Sequence, residues 1–442
     1  MTTATPAMDD GAAIAQRSRS RWRAARQALT DESVALTCLA VVALHVVDDA
    51  FLQPEPGMSA SDHLASGLLP LALIAAAAVI YRRLRPGGRA ALALVFGVFG
   101  IASGVEAAYF TMTGGPSGDD FTGWFCLAAG LVLVGLGTTT LWRTRRTDDS
   151  LPRRYLRRTL LVIAGLLVAS QVMFPVVLAQ IFTHTARAHV PSPNLGAAHE
   201  DVAFTTSDGL RLRGWFVPSR NGATVIAFPG RSGPQKQTRM LVRNGYGVLL
   251  FDRRGEGVSD GDPNIFGWGG DRDLHAAAAY LQSRQDVDGS RIGAIGLSVG
   301  GEMLLRAAAH SDAFKAIVSE GASGQSIRDE LDNPGLSDRL LDLPTQVSLT
   351  SALTVFTNEL PPPSLRNEVA GIAPTPVFFI YGENGQGGTE AGPNKGFYEA
   401  ALEPKQIWEV PNGQHVAGIT TAPKEYERRV VGFFDRTLSD GR

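Results

Sequence analysis

The chain has 442 residues, enough for more than one domain, and its 41 Lys+Arg against 43 Asp+Glu leave it near neutrality. That balance excludes the basic footprint of a nucleic-acid-binding protein. The only two cysteines, Cys38 and Cys126, lie in apolar stretches of the first half, so nothing after residue 126 can be disulfide-bonded, and no C-x-x-C or His-Cys spacing offers a metal site.

The charge total hides an asymmetry, because the first 190 residues are Arg-rich and the rest is acidic. Residues 1–32 read as a cytoplasmic Arg-rich tail carrying Arg17, Arg19, Arg21, Arg23 and Arg26. Five apolar stretches follow, at about 33–52, 63–81, 90–112, 121–142 and 159–182, and predict an all-α transmembrane domain over 33–182. The first is interrupted by Asp48-Asp49 and spans only with that pair at its outer edge. Arginine alternates between the connections. Segment 82–89 carries Arg82, Arg83, Arg85 and Arg89, and 143–158 is richer still, whereas 48–62 and 111–120 contain no Lys or Arg. Cytoplasmic loops collect positive charge, so the amino terminus is expected inside and everything after about 183 outside. His45, Asp48 and Asp49 share a helical face, and Glu106 sits within the third stretch. Ionisable groups at such depth are costly, and read either as mutually paired interfacial groups or as functional ones. Residues 183–200, with Pro191 and Pro193, read as a linker.

From 201 to 438 the pattern changes. Val202–Thr206 and Leu210–Val217 flank the hairpin signal Ser207-Asp208-Gly209. Apolar strands are predicted at Ala223–Phe228, Gly247–Phe251, Ile292–Leu297, Ala316–Glu320, Val377–Gly382 and Ile407–Val410, separated by helices near 236–244, 270–284 and 302–309, with a closing helix near 423–437. Strands alternating with helices imply a mostly parallel sheet covered on both faces. Residues 323–370 break this rhythm with helical patches at Leu336–Leu343 and Val347–Phe356. An insertion of that size fits a lid over a pocket or an ordinary connection.

The most informative stretch is Gly296-Leu297-Ser298-Val299-Gly300, a G-x-S-x-G between a buried strand and a helix. In so tight a turn the serine backbone is strained, the glycines let neighbouring backbones approach, and the hydroxyl is presented at the carboxyl edge of the sheet. Ser298 is therefore the candidate nucleophile. In the chain order serine, acid, histidine, the base follows a late strand, which selects His415 in Val410-Pro411-Asn412-Gly413-Gln414-His415. The acid is open. Glu390 follows the flexible Gly385–Gly388 and reaches further; Glu383 is the alternative, and Glu320 a remoter one. Oxyanion donors are expected from the backbone N–H groups of Val299 and Arg231.

FPGRSG, FDRRGEGVSDGD, GLSVGG and VPNGQH, in this order and spacing, resemble the α/β-hydrolase superfamily. The likeness is to bacterial members near its dienelactone-hydrolase and acyl-thioesterase branch, some of which carry an amino-terminal membrane region. It covers about 200–438 and implies a Ser-acid-His hydrolase needing no cofactor, with Ser298 and His415 in those roles. The family usually places Asp three residues after the strand-end glycine, where this chain has Gly385, so the acid's identity stays open. Asp252 and Ser259 match a family turn with a structural role. The fold class expected is thus an α/β hydrolase preceded by about five transmembrane helices. The expected activity is cleavage of a carboxyl ester, with thioester or amide as neighbours, on a small-molecule or lipid-like acyl substrate. The competing readings are a non-catalytic binding or sensory module, and a hydrolase serving a transport or lipid-handling membrane domain.

Overall fold

The computed structural model describes residues 10–113, 120–144, 150–185, 187, 195–324, 326–332 and 336–438. The linker's Pro191 and Pro193, Asp119, and the first nine residues of the tail lie outside the described residues. Contacts divide the chain into two units, one of residues 1–53 and 67–164, the other of 54–66 and 165–442.

The first unit is helical, with α1 (Asp10–Val47), α3 (Pro86–Thr113), α4 (Asp120–Arg143) and most of α2 (Leu64–Tyr81) and α5 (Leu151–Val168), whose residues 64–66 and 165–168 fall in the second unit. The Arg-rich tail is helical from Asp10 and continuous with the first apolar stretch. Among the described residues, five helical stretches are long and apolar enough to cross a membrane: Thr30–Leu52, Leu64–Tyr81, Pro86–Tyr109, Phe121–Arg143 and Leu151–Thr183. The tightest crossing joins α3 to α4. A Cβ on Gly130 would stand 2.6 Å from the Ile101 nitrogen, so small residues bring the two backbones together, as they do between helices in lipid. The acidic group in the first stretch has partners. Asp48 is buried and accepts hydrogen bonds from Thr122 Oγ1 (2.6 Å) and Gln53 Nε2 (3.1 Å), and Thr122 in turn meets His45 Nδ1 at 3.1 Å.

In the second unit the last apolar helix ends as α6 (Phe174–Thr183) after a π-turn at Ala169–Met173. The sheet comprises β1 (Glu200–Thr205), β2 (Arg211–Val217), β3 (Thr224–Phe228), β4 (Gly247–Phe251), β5 (Ile292–Leu297), β6 (Ala316–Glu320), β7 (Val377–Gly382) and β8 (Lys405–Val410). Their spatial order is β1-β2-β4-β3-β5-β6-β7-β8, antiparallel for β1–β2 and β2–β4 and parallel from β4 onward. Strands β3 to β7 are buried at every residue, which is why they read as unbroken apolar runs rather than alternating ones.

Helices α7 (Gln235–Arg243) and α15 (Pro423–Leu438) cover one face. There Met240, Leu241, Tyr426, Val430, Phe433 and Phe434 pack on Val225, Val248 and Ile295. The other face carries α8 (Asp271–Ser283), α9 (Val299–Ala309) and α13 (Ala391–Ala400), with Leu274, Ala278, Leu304, Leu305 and Phe397 in its core. Burying one Phe contributes roughly 1.5–3 kcal/mol, so the two faces supply most of what holds this unit together. The short α14 (Gly418–Thr421) leads into α15.

The insertion is helical: α10 (Ile327–Asp332), α11 (Leu336–Thr357) and α12 (Leu365–Glu368). The two patches expected there are one helix, and Pro344 lies inside it. A second departure from expectation is the connection after the first apolar stretch, which belongs to this unit. Pro56 O accepts the N–H of Gly261 (2.9 Å), and Arg187 bridges Glu55 and the Gly261 carbonyl.

Candidate active site

Ser298 sits between β5 and α9 with φ 53 and ψ −125, a positive-φ conformation that non-glycine residues adopt only under constraint. The constraint is close packing. A Cβ on Gly296 would lie 2.4 Å from the Gly300 oxygen, and one on Gly300 would lie 2.6 Å from the Pro229 nitrogen. Both glycines are thus required by geometry. The Ser298 N–H donates to the Glu320 carbonyl at 2.8 Å, tying the turn to β6.

Because β5, β6, β7 and β8 are neighbours in that order, the loops after β5, β7 and β8 meet at one edge. His415, in the loop after β8, places Nε2 2.8 Å from Ser298 Oγ. Behind it, Nδ1 is hydrogen-bonded to Glu390 Oε1. Glu390 is fully buried at the start of α13, and its Oε2 accepts the N–H of Gly382 at 2.9 Å, so β7 itself holds the carboxylate in place. Gln386 and Gly387, both at positive φ, turn the loop back to make this reach.

The other two carboxylates do different work. Exposed Glu383 accepts the Asn412 N–H at 2.7 Å and fastens the loop that carries His415. Buried Glu320 accepts from Gly418 N–H (2.9 Å) and Tyr426 OH (2.6 Å), joining β6 to α14 and α15. Burial above all, and then the charge of Glu390, hold the Glu320 carboxyl above its usual range. Of the remaining histidines, His275 Nε2 meets the Ala307 carbonyl (3.0 Å) and His310 meets Glu368 (3.2 Å), both away from Ser298.

The Arg231 expectation needs correction. Its backbone N–H is already committed, donating to Asp252 Oδ1 at 2.9 Å, while its guanidinium pairs with Oδ2 of the same residue and stacks over Trp215. A buried carboxylate must be satisfied, and it takes the N–H that was expected to face an oxyanion. Val299 is unaffected: it is the first residue of α9, where N–H groups have no partner within the helix. The structural role expected of Asp252 and Ser259 is seen directly, with Ser259 Oγ donating to the Asp252 carbonyl at 2.7 Å.

A cavity of about 480 Å³ opens at Ser298. Phe266, Trp268, Met303, Leu349 and Leu353 give it an apolar wall, and Glu302 and Arg306 line it with ionisable groups. Burial pushes the Glu302 carboxyl up, opposed by the Ser323 N–H that it accepts at 3.1 Å. Sequence reasoning did not single out Glu302, although it stands four residues after Ser298 and so on the same helical face. Trp268 and Leu349 had no such signal, since only the fold brings their loops over the elbow.

A family model for X-Pro dipeptidyl-peptidase (S15 family) matches residues 173–355, a stretch that contains Ser298 but stops short of Glu390 and His415. The chain is 28% identical over 260 residues to the uncharacterized protein YfhR of Escherichia coli O157:H7, covering 54% of this chain and 82% of that one. It is 34% identical over 151 residues to the polyketide transferase GrgF of a Penicillium species, covering 32% and 50%. Among solved structures, the esterase Pf2001 of Pyrococcus furiosus aligns with a TM-score of 0.47 at 22% identity, covering 58% of this chain and 98% of that one. The sheet order and the strained elbow give the second unit the α/β-hydrolase fold.

Proposed function

We propose that the protein is a membrane-embedded serine hydrolase that cleaves carboxyl esters, with Ser298 as nucleophile, His415 as base and Glu390 as the acid that orients it. The observation that carries this reading is the 2.8 Å approach of His415 Nε2 to Ser298 Oγ, backed by Glu390 on the other ring nitrogen. Ser298 Oγ attacks the ester carbonyl as His415 takes its proton, and the developing oxyanion is met by the Val299 N–H at the amino end of α9. The imidazolium returns the proton to the departing alcohol, leaving an acyl-enzyme. Water, deprotonated by the same histidine, then releases the acid.

The apolar cavity wall favours an acyl chain, and its size fits a ligand of moderate length. The arginine pattern of the connections supports an amino terminus inside and a hydrolase outside. The docking of residues 54–66 on the hydrolase unit supports this, since both follow an odd number of spans. The test is a panel of carboxyl esters, thioesters and X-Pro peptides presented to the full-length protein and to Ser298→Ala. Ester turnover that falls by ~10⁴-fold or more in the variant is the expected result. Equal turnover in both proteins would remove Ser298 from the mechanism, and preferred cleavage of the X-Pro peptides would replace the ester as substrate.

A further inference from the structure

The wall of the cavity has a second layer, and that layer comes from outside the sheet and its covering helices. Phe266, Trp268, Leu349 and Leu353 line the cavity that contains Ser298. The same four side chains pack in one apolar cluster with Val176 and Ala179 of α6, the end of the last apolar helix. Ala179 is completely buried there, so the helix and the back of the wall are in direct contact. All of these residues belong to the second unit.

The contact also fixes a backbone. Phe182 O, in the last turn of α6, accepts the N–H of Ile265 at 3.1 Å. The Phe182 ring meets that of Phe266 with centroids 5.7 Å apart. Ile265 and Phe266 are consecutive residues of the cavity lining, in a stretch between β4 and α8 that is neither helix nor strand. The stretch's own ties are short-range. Asn264 Oδ1 accepts the Phe266 N–H (3.0 Å), and the Asn264 carbonyl accepts the Gly267 N–H (3.1 Å). Its start is fastened by the segment that follows α6. There the Arg187 guanidinium donates to the carbonyls of Ser259 and Gly261, the latter at 2.6 Å, while its Nε donates to Glu55 at 2.9 Å. A binding wall built on a loop is only as precise as the packing behind it.

We infer that Phe182 and Arg187 are positioning residues for substrate recognition. The end of the last apolar helix and the segment after it hold Phe266 and Trp268 in place, and so set the acyl-chain side of the cavity, while the Ser298, His415 and Glu390 group is built from other loops. This rests on the reading of Ser298 as the nucleophile of an acyl hydrolase. An acetyl group needs only the elbow, whereas an octanoyl chain must lie against the wall, so the two esters separate the wall from the chemistry.

The experiment uses full-length protein in detergent micelles, with p-nitrophenyl acetate and p-nitrophenyl octanoate as substrates. Phe182→Ala is expected to raise KM for the octanoate about tenfold with kcat kept, and to leave acetate turnover within about twofold, the pattern of lost binding rather than lost chemistry. Phe182→Leu, which refills most of the gap, should bring the octanoate KM back towards wild type. Arg187→Gln releases the start of the stretch without opening an apolar gap and should shift the octanoate KM in the same direction, including where Phe182→Ala is too unstable to purify. Amide hydrogen exchange is expected to quicken in a peptide spanning 262–270 and not in one containing Ser298. Equal loss on both esters, or an octanoate KM unmoved in every variant, overturns the inference. A wild type that turns over neither ester counts against the hydrolase reading instead. The exchange rates still decide whether α6 holds the wall, and unchanged rates at 262–270 would show that it does not.

Discussion

Two glutamates eight residues or fewer from the end of β7 divide the work at the candidate site by which atoms they reach. Glu390 is buried and faces His415 Nδ1, while Glu383 is exposed and holds the Asn412 N–H. In a triad the orienting acid fixes the tautomer and stabilises the imidazolium, a role worth about 10⁴-fold in turnover when disabled. Glu390→Gln is therefore expected to lower ester turnover by about that factor with the fold intact. Glu383→Gln should cost under ~1 kcal/mol of stability and leave most of the activity, because its partner is a surface N–H. Paired measurements of turnover and melting check this; a reversed ranking would make Glu383 the acid.

At the scale of elements, the sheet and the elbow were legible because buried parallel strands leave unbroken apolar runs and a strained turn between close-packed backbones demands glycine. The approach of Glu390 to His415 was legible as far as loop reach could be judged, since Gly385–Gly388 lets the chain turn back. What could not be read was main-chain hydrogen bonding. Nothing in the residues around Arg231 announces that Asp252 takes its N–H, because the backbone donor is the same in every residue. The docking of residues 54–66 was equally silent, as it joins segments over a hundred residues apart through a carbonyl and one arginine.

Glu320 links β6 to α14 and α15, and its raised carboxyl has a consequence for pH. The folded state holds the Glu320 proton more tightly than the unfolded chain, whose value is near 4.5. The folded unit therefore loses stability relative to a non-titrating variant as pH rises above that value. Glu320→Gln should accordingly be most destabilising in acid, and its deficit in Tm should shrink as pH rises from about 4.5 towards neutrality. A deficit that grows with pH would show that the folded carboxyl is held low instead.

At the scale of the whole molecule, five helical stretches among the described residues are long and apolar enough to cross a membrane, and in the proposed reading their number decides which side the hydrolase unit faces. Reporters fused after Arg89 and after Leu438 are expected to read cytoplasmic and extracytoplasmic respectively, following the arginine-rich connections. The same side for both would remove one crossing, most directly the Asp48-containing first one, and with it the outward hydrolase.

The most direct test is whether Ser298 behaves as an activated nucleophile. Full-length wild-type protein, treated with a fluorophosphonate and digested, is expected to yield one phosphonylated peptide, the one containing Ser298. The adduct should be absent in Ser298→Ala and formed far more slowly in His415→Ala. A wild type that forms no adduct, or an adduct on a different serine, would contradict the assignment of Ser298.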